Sequence, residues 1–228
     1  MRSTRYRTGP DTWLVSLPDP LVRVVLLAGP SGSGKSYVAR RSGLPILSLD
    51  DFYKDAGDPT LPRLDGAVNW DSPDAWDSAA AVEAVCQLAA TGTADVPSYD
   101  ISQDRHVGHR SITVTGRPVF IAEGIFAAEI VADCADRGVL ADALCLCRPP
   151  TVTFVRRLVR DLREGRKRPS VLIRRGLRLW RAERSVVRRQ CALGARPGGR
   201  REVEHRIREL ATGASPEPGQ EVSPRDAD

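Results

Sequence analysis

The chain has 228 residues, a formal net charge of +5, 41% hydrophobic residues and five cysteines. That length suits one α/β domain with attachments and can bury a full core. No apolar run approaches the ~18 residues of a membrane span, and MRSTRYRTGP lacks a signal-peptide apolar stretch, so a cytoplasmic protein without membrane attachment is expected. An odd cysteine count with no C-x-x-C argues against a disulfide framework or a zinc site.

Charge is uneven along the chain. From Arg148 to Leu210 there are 20 Lys/Arg against 6 Asp/Glu. Such a segment suits nucleic acid, or a lid closing over a polyphosphate. It holds only two aromatic residues, Phe154 and Trp180, which disfavours nucleic acid.

In chain order, residues 1–20 read as an extended arm. Leu21 to Ala28, LVRVVLLA, has the near-continuous apolar character of a strand buried on both faces. Gly29-Pro30-Ser31-Gly32-Ser33-Gly34-Lys35-Ser36 then fits the P-loop pattern G-x-x-x-x-G-K-[ST] at every fixed position. Its glycines let successive N–H groups turn in around a polyphosphate. Lys35 reaches the β- and γ-phosphates, and the Ser36 hydroxyl ligates Mg²⁺. Without nucleotide, Lys35 is expected to face solvent. A helix follows to about Ser42-Gly43.

Pro45 to Leu49 is a short buried strand that delivers Asp50-Asp51-Phe52-Tyr53 at its carboxyl end, where open α/β sheets bind ligands. Residues 54–69 read as a loop. Ser72 or Asp74 caps the next helix, which runs to Thr91-Gly92. Ala94–Tyr99 and Ser111–Thr115 suggest a hairpin, and Val119–Ala122 a buried strand ending on Glu123-Gly124. A helix from Phe126 to about Arg137 leads to a strand at Ala143–Cys147, where Cys145 and Cys147 share a side as small core residues. After Pro149-Pro150 comes an Arg-rich helix broken at Gly165 and Pro169, forming a lid over about 150–170. A second basic helix spans 171–190. Residues 191–210, with the segment QCALGARPGG, have no assignment. The domain runs over 21–210, and 211–228 has the composition of a disordered tail.

Phosphoryl transfer needs positioning, neutralisation of the transferring group and a base for the acceptor hydroxyl. Asp50 or Asp51 is the natural base, and only one of them is expected near the γ-phosphate. Glu123 suits a Mg²⁺-water contact. Arg157 and Arg160, at i and i+3, can face one anion.

These residues carry a resemblance. GPSGSGKS, LDDFYK, NWDSPDAWD, PSYD, FIAEGIF and RRLVRD-x-x-x-GR occur in the order found in the uridine/cytidine kinases, related to phosphoribulokinase and pantothenate kinase. The resemblance implies a P-loop α/β sandwich with a mostly parallel sheet, a small hairpin insertion and an Arg-rich helical lid. It implies ATP, with GTP as an alternative donor, and Mg²⁺. By position, Asp50 matches the base that activates a nucleoside 5′-hydroxyl. Tyr53, Trp70 and Tyr99 match the nucleoside pocket, and Asp71 the carboxylate on the ribose diol. Glu123 matches the magnesium-associated glutamate. Arg157, Arg160 and Arg166 match lid arginines on sugar and phosphates.

The histidine that contacts the pyrimidine in that family, five residues after the tyrosine, is Asp104 here, with His106 and His109 further on. The lid is one residue shorter, and no late strand completing the sheet is legible beyond residue 170. A small-molecule nucleoside is the expected partner, and a homo-oligomer is compatible with the sequence. The rivals are a kinase of another small alcohol and a non-catalytic nucleotide or nucleic-acid-binding protein.

Overall fold

β1 (Arg23–Ala28) alternates between two cores, because successive side chains of a strand point to opposite faces. Val24, Leu26 and Ala28 pack into one apolar cluster, and Val25 and Leu27 into the other. A strand apolar on both faces belongs in the middle of a sheet covered on both sides. In the computed structural model, which describes residues 19–114, 116–149, 151–153 and 183–213, it is indeed central.

The main sheet also contains β2 (Ile46–Ser48), β7 (Val119–Glu123), β8 (Leu140–Leu146) and β9 (Arg196–Gly198), in the order β2-β7-β1-β8-β9. Every pairing in it is parallel. α1 (Lys35–Arg41) and α4 (Arg200–Ala211) cover one face through Val38, Ala39, Val203 and Ile207. α2 (Ser78–Thr91) and α3 (Val131–Asp136) cover the other through Val82, Val85, Leu88 and Cys134. This is the α/β layering expected from the sequence.

Several local expectations change. The sheet does have a late strand: β9 pairs with β8 through Leu144, Cys145 and Leu146. At three residues, including Pro197 and Gly198, it carries no apolar run to betray it. Gln190 to Gly199 thus becomes a helix end, a turn and this edge strand. Asp142, nearly buried on β8, pairs with Arg196 of β9 and with Arg206 of α4 at 2.7 Å, tying the edge down.

Asp77, not Ser72 or Asp74, caps α2 by accepting from Ala80 N–H. Ser72 caps a preceding 3-10 turn, Pro73–Ala75. The strand in the last described part of the sheet before residue 150 is Leu140–Leu146, earlier than Ala143–Cys147. Within 54–69 a two-residue ladder forms, β3 (Arg63–Leu64) on β4 (Ala67–Val68), turned by Asp65 and Gly66 at positive φ. The hairpin is longer than expected, β5 (Thr93–Asp100) on β6 (Arg105–Thr113).

Residues 151–153 and 183–192 are helical. The Thr153 hydroxyl donates to the Glu183 carboxylate, both side chains being buried. The broken Arg-rich helix, most of the second basic helix and the N- and C-terminal segments lie outside the described residues.

Candidate active site

The loop between β1 and α1 is built by its glycines. Gly29, Gly32 and Gly34 adopt φ of +143°, +84° and +98°, where L side chains are strained. Gly29 is also confined by space, since a Cβ there would stand 2.8 Å from the Leu146 carbonyl oxygen on β8. The resulting concave backbone suits a polyphosphate. Lys35 is not solvent-facing. It is buried, and its Nζ donates to the carbonyls of Gly29 at 2.8 Å and Pro30 at 3.3 Å. An ammonium satisfied by its own loop is held where phosphates would sit, at no cost of an unpaired charge.

Beside the loop lies a pocket of about 350 Å³ at the carboxyl ends of β2 and β7. α1 contributes Ser36 and Arg40, β2 contributes Ile46 and Ser48, and β7 contributes Glu123. Asp50 and Asp51 enter from a 3-10 turn, Leu49–Phe52, rather than from the strand end itself. Tyr99, Ile101 and Arg110 close the pocket from the hairpin.

Both aspartates therefore line the pocket, but they do different things. Asp50 accepts from Ile125 N–H, and its pKa is raised: burial is the main cause, Lys35 opposes it and Glu123 adds to it. Asp51 is spent on the hairpin. Its Oδ2 meets Arg110 at 2.7 Å, and its Oδ1 accepts from Tyr99 N–H at 3.2 Å. Ser36 and Glu123 share the pocket, so one hydroxyl and nearby carboxylates face the same space. Magnesium binds through few protein oxygens and keeps its waters, a demand this donor set can meet. Among the described residues no group of three or more His, Cys, Asp or Glu is arranged to hold a metal ion.

Tyr53, Trp70 and Tyr99 come together. The Tyr53 ring lies 5.9 Å from Trp70, 6.0 Å from Tyr99 and 5.9 Å from Phe126. Burial raises the Tyr99 hydroxyl's pKa, and that hydroxyl donates to the Lys54 carbonyl at 3.2 Å. Asp71 is exposed, next to Trp70. Asp104 is a turn residue at φ +50°, and its carbonyl accepts from Ala56 N–H. His106 instead packs on Tyr99, with ring centroids 5.3 Å apart. Its Nδ1 lies 2.7 Å from Asp55 Oδ1, and its Nε2 lies 3.2 Å from the Asp51 carbonyl. Arg157, Arg160 and Arg166 lie outside the described residues.

Sequence reasoning missed Arg40, Arg110, Phe126 and the tight packing of Gly124. Arg40 was findable, because i+4 from Ser36 puts it on the same helix face. Arg110 was not, because its place depends on cross-strand register.

The model of the phosphoribulokinase / uridine kinase family matches residues 24–176. A uridine kinase of Borrelia duttonii is 32% identical over 160 residues, covering 67% of this chain and 74% of that protein. One from Tolumonas auensis is 32% identical over 162 residues, covering 65% and 73%. In fold, the chain resembles a solved Silicibacter protein provisionally named as a fructose transport system kinase. The TM-score is 0.55 at 19% identity, over 78% of this chain and 87% of that one. The family match takes in the phosphate loop, both aspartates, the hairpin and Glu123. The chain belongs to the phosphoribulokinase / uridine kinase family and is a phosphotransferase.

Proposed function

We propose that this enzyme transfers the γ-phosphoryl group of ATP to the 5′-hydroxyl of a ribonucleoside, uridine or cytidine first. The observation that carries the reading is the convergence of Asp50, Ser36 and Glu123 on one pocket beside the phosphate loop. The likeness to uridine kinases at 32% identity supports the acceptor class.

Gly29, Ser31, Gly32, Ser33, Gly34, Lys35 and Ser36 cradle the nucleotide phosphates, with Arg166 on the donor side. Asp50 takes the proton of the acceptor hydroxyl, and its raised pKa makes it a stronger base once ionised. Lys35, Arg157 and Arg160 face the charge that develops on the transferring group. Ser36 and, through water, Glu123 would hold Mg²⁺, which when bound neutralises phosphate oxygens. Tyr53, Trp70 and Tyr99 enclose the acceptor's ring, with Arg157 reaching its sugar. Asp71 accepts from its two vicinal hydroxyls, a geometry suited to one carboxylate.

A second reading, a different small alcohol as acceptor, is favoured by one observation. Both ring nitrogens of His106 already face protein oxygens, so the histidine nearest the pocket is not free to read a pyrimidine. Release of ADP from ATP-Mg²⁺ across a panel of ribonucleosides and other small alcohols decides between them. Turnover with uridine or cytidine far above the no-acceptor rate is expected, and turnover only with a non-nucleoside alcohol would overturn the first reading.

A further inference from the structure

Three of the five cysteines gather beneath the phosphate loop. Cys145 sits on β8 and Cys147 directly after it, on the same side, with sulfurs 3.9 Å apart. Cys191, at the end of the helical segment 183–192, lies within hydrogen-bonding reach of Cys145. Cys145 is buried, whereas Cys147 and Cys191 are half-buried, so an outside reagent meets Cys147 before Cys145.

The hydrogen bonds assign the protons. Gln190 Nε2 donates to the Ile125 carbonyl at 2.8 Å, which turns its Oε1 toward Cys145. Cys145 then keeps its S–H, which Gln190 Oε1 at 3.2 Å and the Cys147 sulfur at 3.9 Å both face and can share. The proton that leaves the pair most readily is that of Cys147, whose pKa is pulled down to about 7 by the Cys145 S–H and the Gly198 N–H. The hydrogen bond with Cys147, and then burial, push Cys145 the other way.

We propose that Cys147 is a thiol-modification site, resolved by Cys145 into a disulfide that disturbs the nucleotide loop. The Cys147 thiolate attacks one sulfur of a low-molecular-weight disulfide and expels a thiolate. Cys145 then attacks the Cys147 sulfur as its proton passes to that first expelled thiolate, and the second thiolate leaves. Two protein S–H bonds and one external S–S bond become one internal S–S bond and two small thiols. The chain is oxidised by two electrons and the reagent reduced by two. Same-face neighbours on a strand are about 6.6–6.8 Å apart, at the upper edge of the range a disulfide spans. Closing it therefore pulls on the peptide between the two cysteines. That peptide is Leu146, whose carbonyl lies against Gly29. Oxidation also removes the Cys145 donor from Gln190.

The full chain is treated with oxidised glutathione, then measured by intact mass, by peptide mapping and by titration with ATP. Loss of two hydrogens is expected, with the bridge mapped to Cys145 and Cys147, ATP affinity lowered about tenfold, and full reversal by dithiothreitol. Cys147→Ser should form no bridge, Cys145→Ala should stop at the glutathione adduct on Cys147, and Cys191→Ser should behave as the parent. A parent that loses no hydrogens, a bridge to Cys191, or oxidised protein with unchanged ATP affinity overturns the proposal. The affinity arm rests on the nucleotide reading above. A reduced parent that binds no ATP would defeat that reading, whereas the mass reports the thiol chemistry by itself.

Discussion

Gly124, just after β7, touches the turn that carries Asp50 so closely that a methyl group there would stand 2.8 Å from Leu49 Cβ and 3.2 Å from Asp50 Oδ1. The glycine of AEGIF is thus a spacer that lets the Asp50 turn lie against the end of β7. Neither partner is the loose end of a flexible chain, so something must move. Gly124→Ala is expected to displace Asp50 and lower kcat by about 10–100-fold, the cost of misplacing a reacting group by roughly 1 Å. ATP affinity, set by the phosphate loop, should stay within a few-fold. A variant with parental kcat would show that this contact does not hold the base.

The two adjacent aspartates should separate by the kind of defect they produce. Asp50→Asn keeps the shape and removes the proton acceptor, so kcat should fall about 10²–10⁴-fold while ATP still binds. Asp51→Asn loses the charge opposite Arg110 and weakens the tie to β5, so it should act mainly on the KM of the acceptor. Steady-state kinetics on both variants checks this. If Asp51→Asn is crippled in kcat and Asp50→Asn is near normal, the roles are reversed.

A pH profile reads the environment of Asp50. Its carboxyl is raised by burial, held down by Lys35 and raised again by Glu123. A base must be ionised, so the acid limb of kcat/KM should lie above the ordinary carboxylate range. Glu123→Gln removes a like charge and should move that limb to lower pH. Stability carries the opposite mark. A carboxyl whose pKa is higher in the folded state binds its proton more tightly there, so folding stability falls as pH rises from the unfolded value through the folded one. At pH 7 Asp50→Asn should therefore unfold at a higher temperature than the parent, despite its lost activity. A lower melting temperature would show that the ionised side chain stabilises the fold.

If Asp71 accepts from a ribose diol, a 2′-deoxyribonucleoside loses one hydrogen bond to its charged carboxylate. That costs about 1–3 kcal/mol, or roughly ten- to a hundredfold in kcat/KM. Competition between uridine and deoxyuridine measures it directly. Equal use of the two would remove Asp71 from the acceptor site.

What the sequence made legible follows from local chemistry. The glycines of the phosphate loop, the apolar run of β1 and the carboxylates at strand ends announce themselves within a few residues. Arg110 and His106 do not, because their places depend on the register of β6 against β5, where the pairing shifts between Ser98 and Tyr99. β9 hid for a different reason. Arg196, Pro197 and Gly198 have no strand propensity, and that strand is specified by its neighbour β8 and by the buried Asp142. The burial of Lys35 was missed because its partners are main-chain carbonyls, to which residue type is nearly blind.

Thr153 and Glu183 meet in a buried hydrogen bond, which joins two positions 30 residues apart in sequence. The entropy of bringing two such positions together depends on the length of the intervening chain. Changing its length alters the closure entropy only slowly, by about 0.6 kcal/mol per doubling. Insertions and deletions between Thr153 and Glu183 therefore weigh little on folding, while the sheet keeps its own sequence requirements.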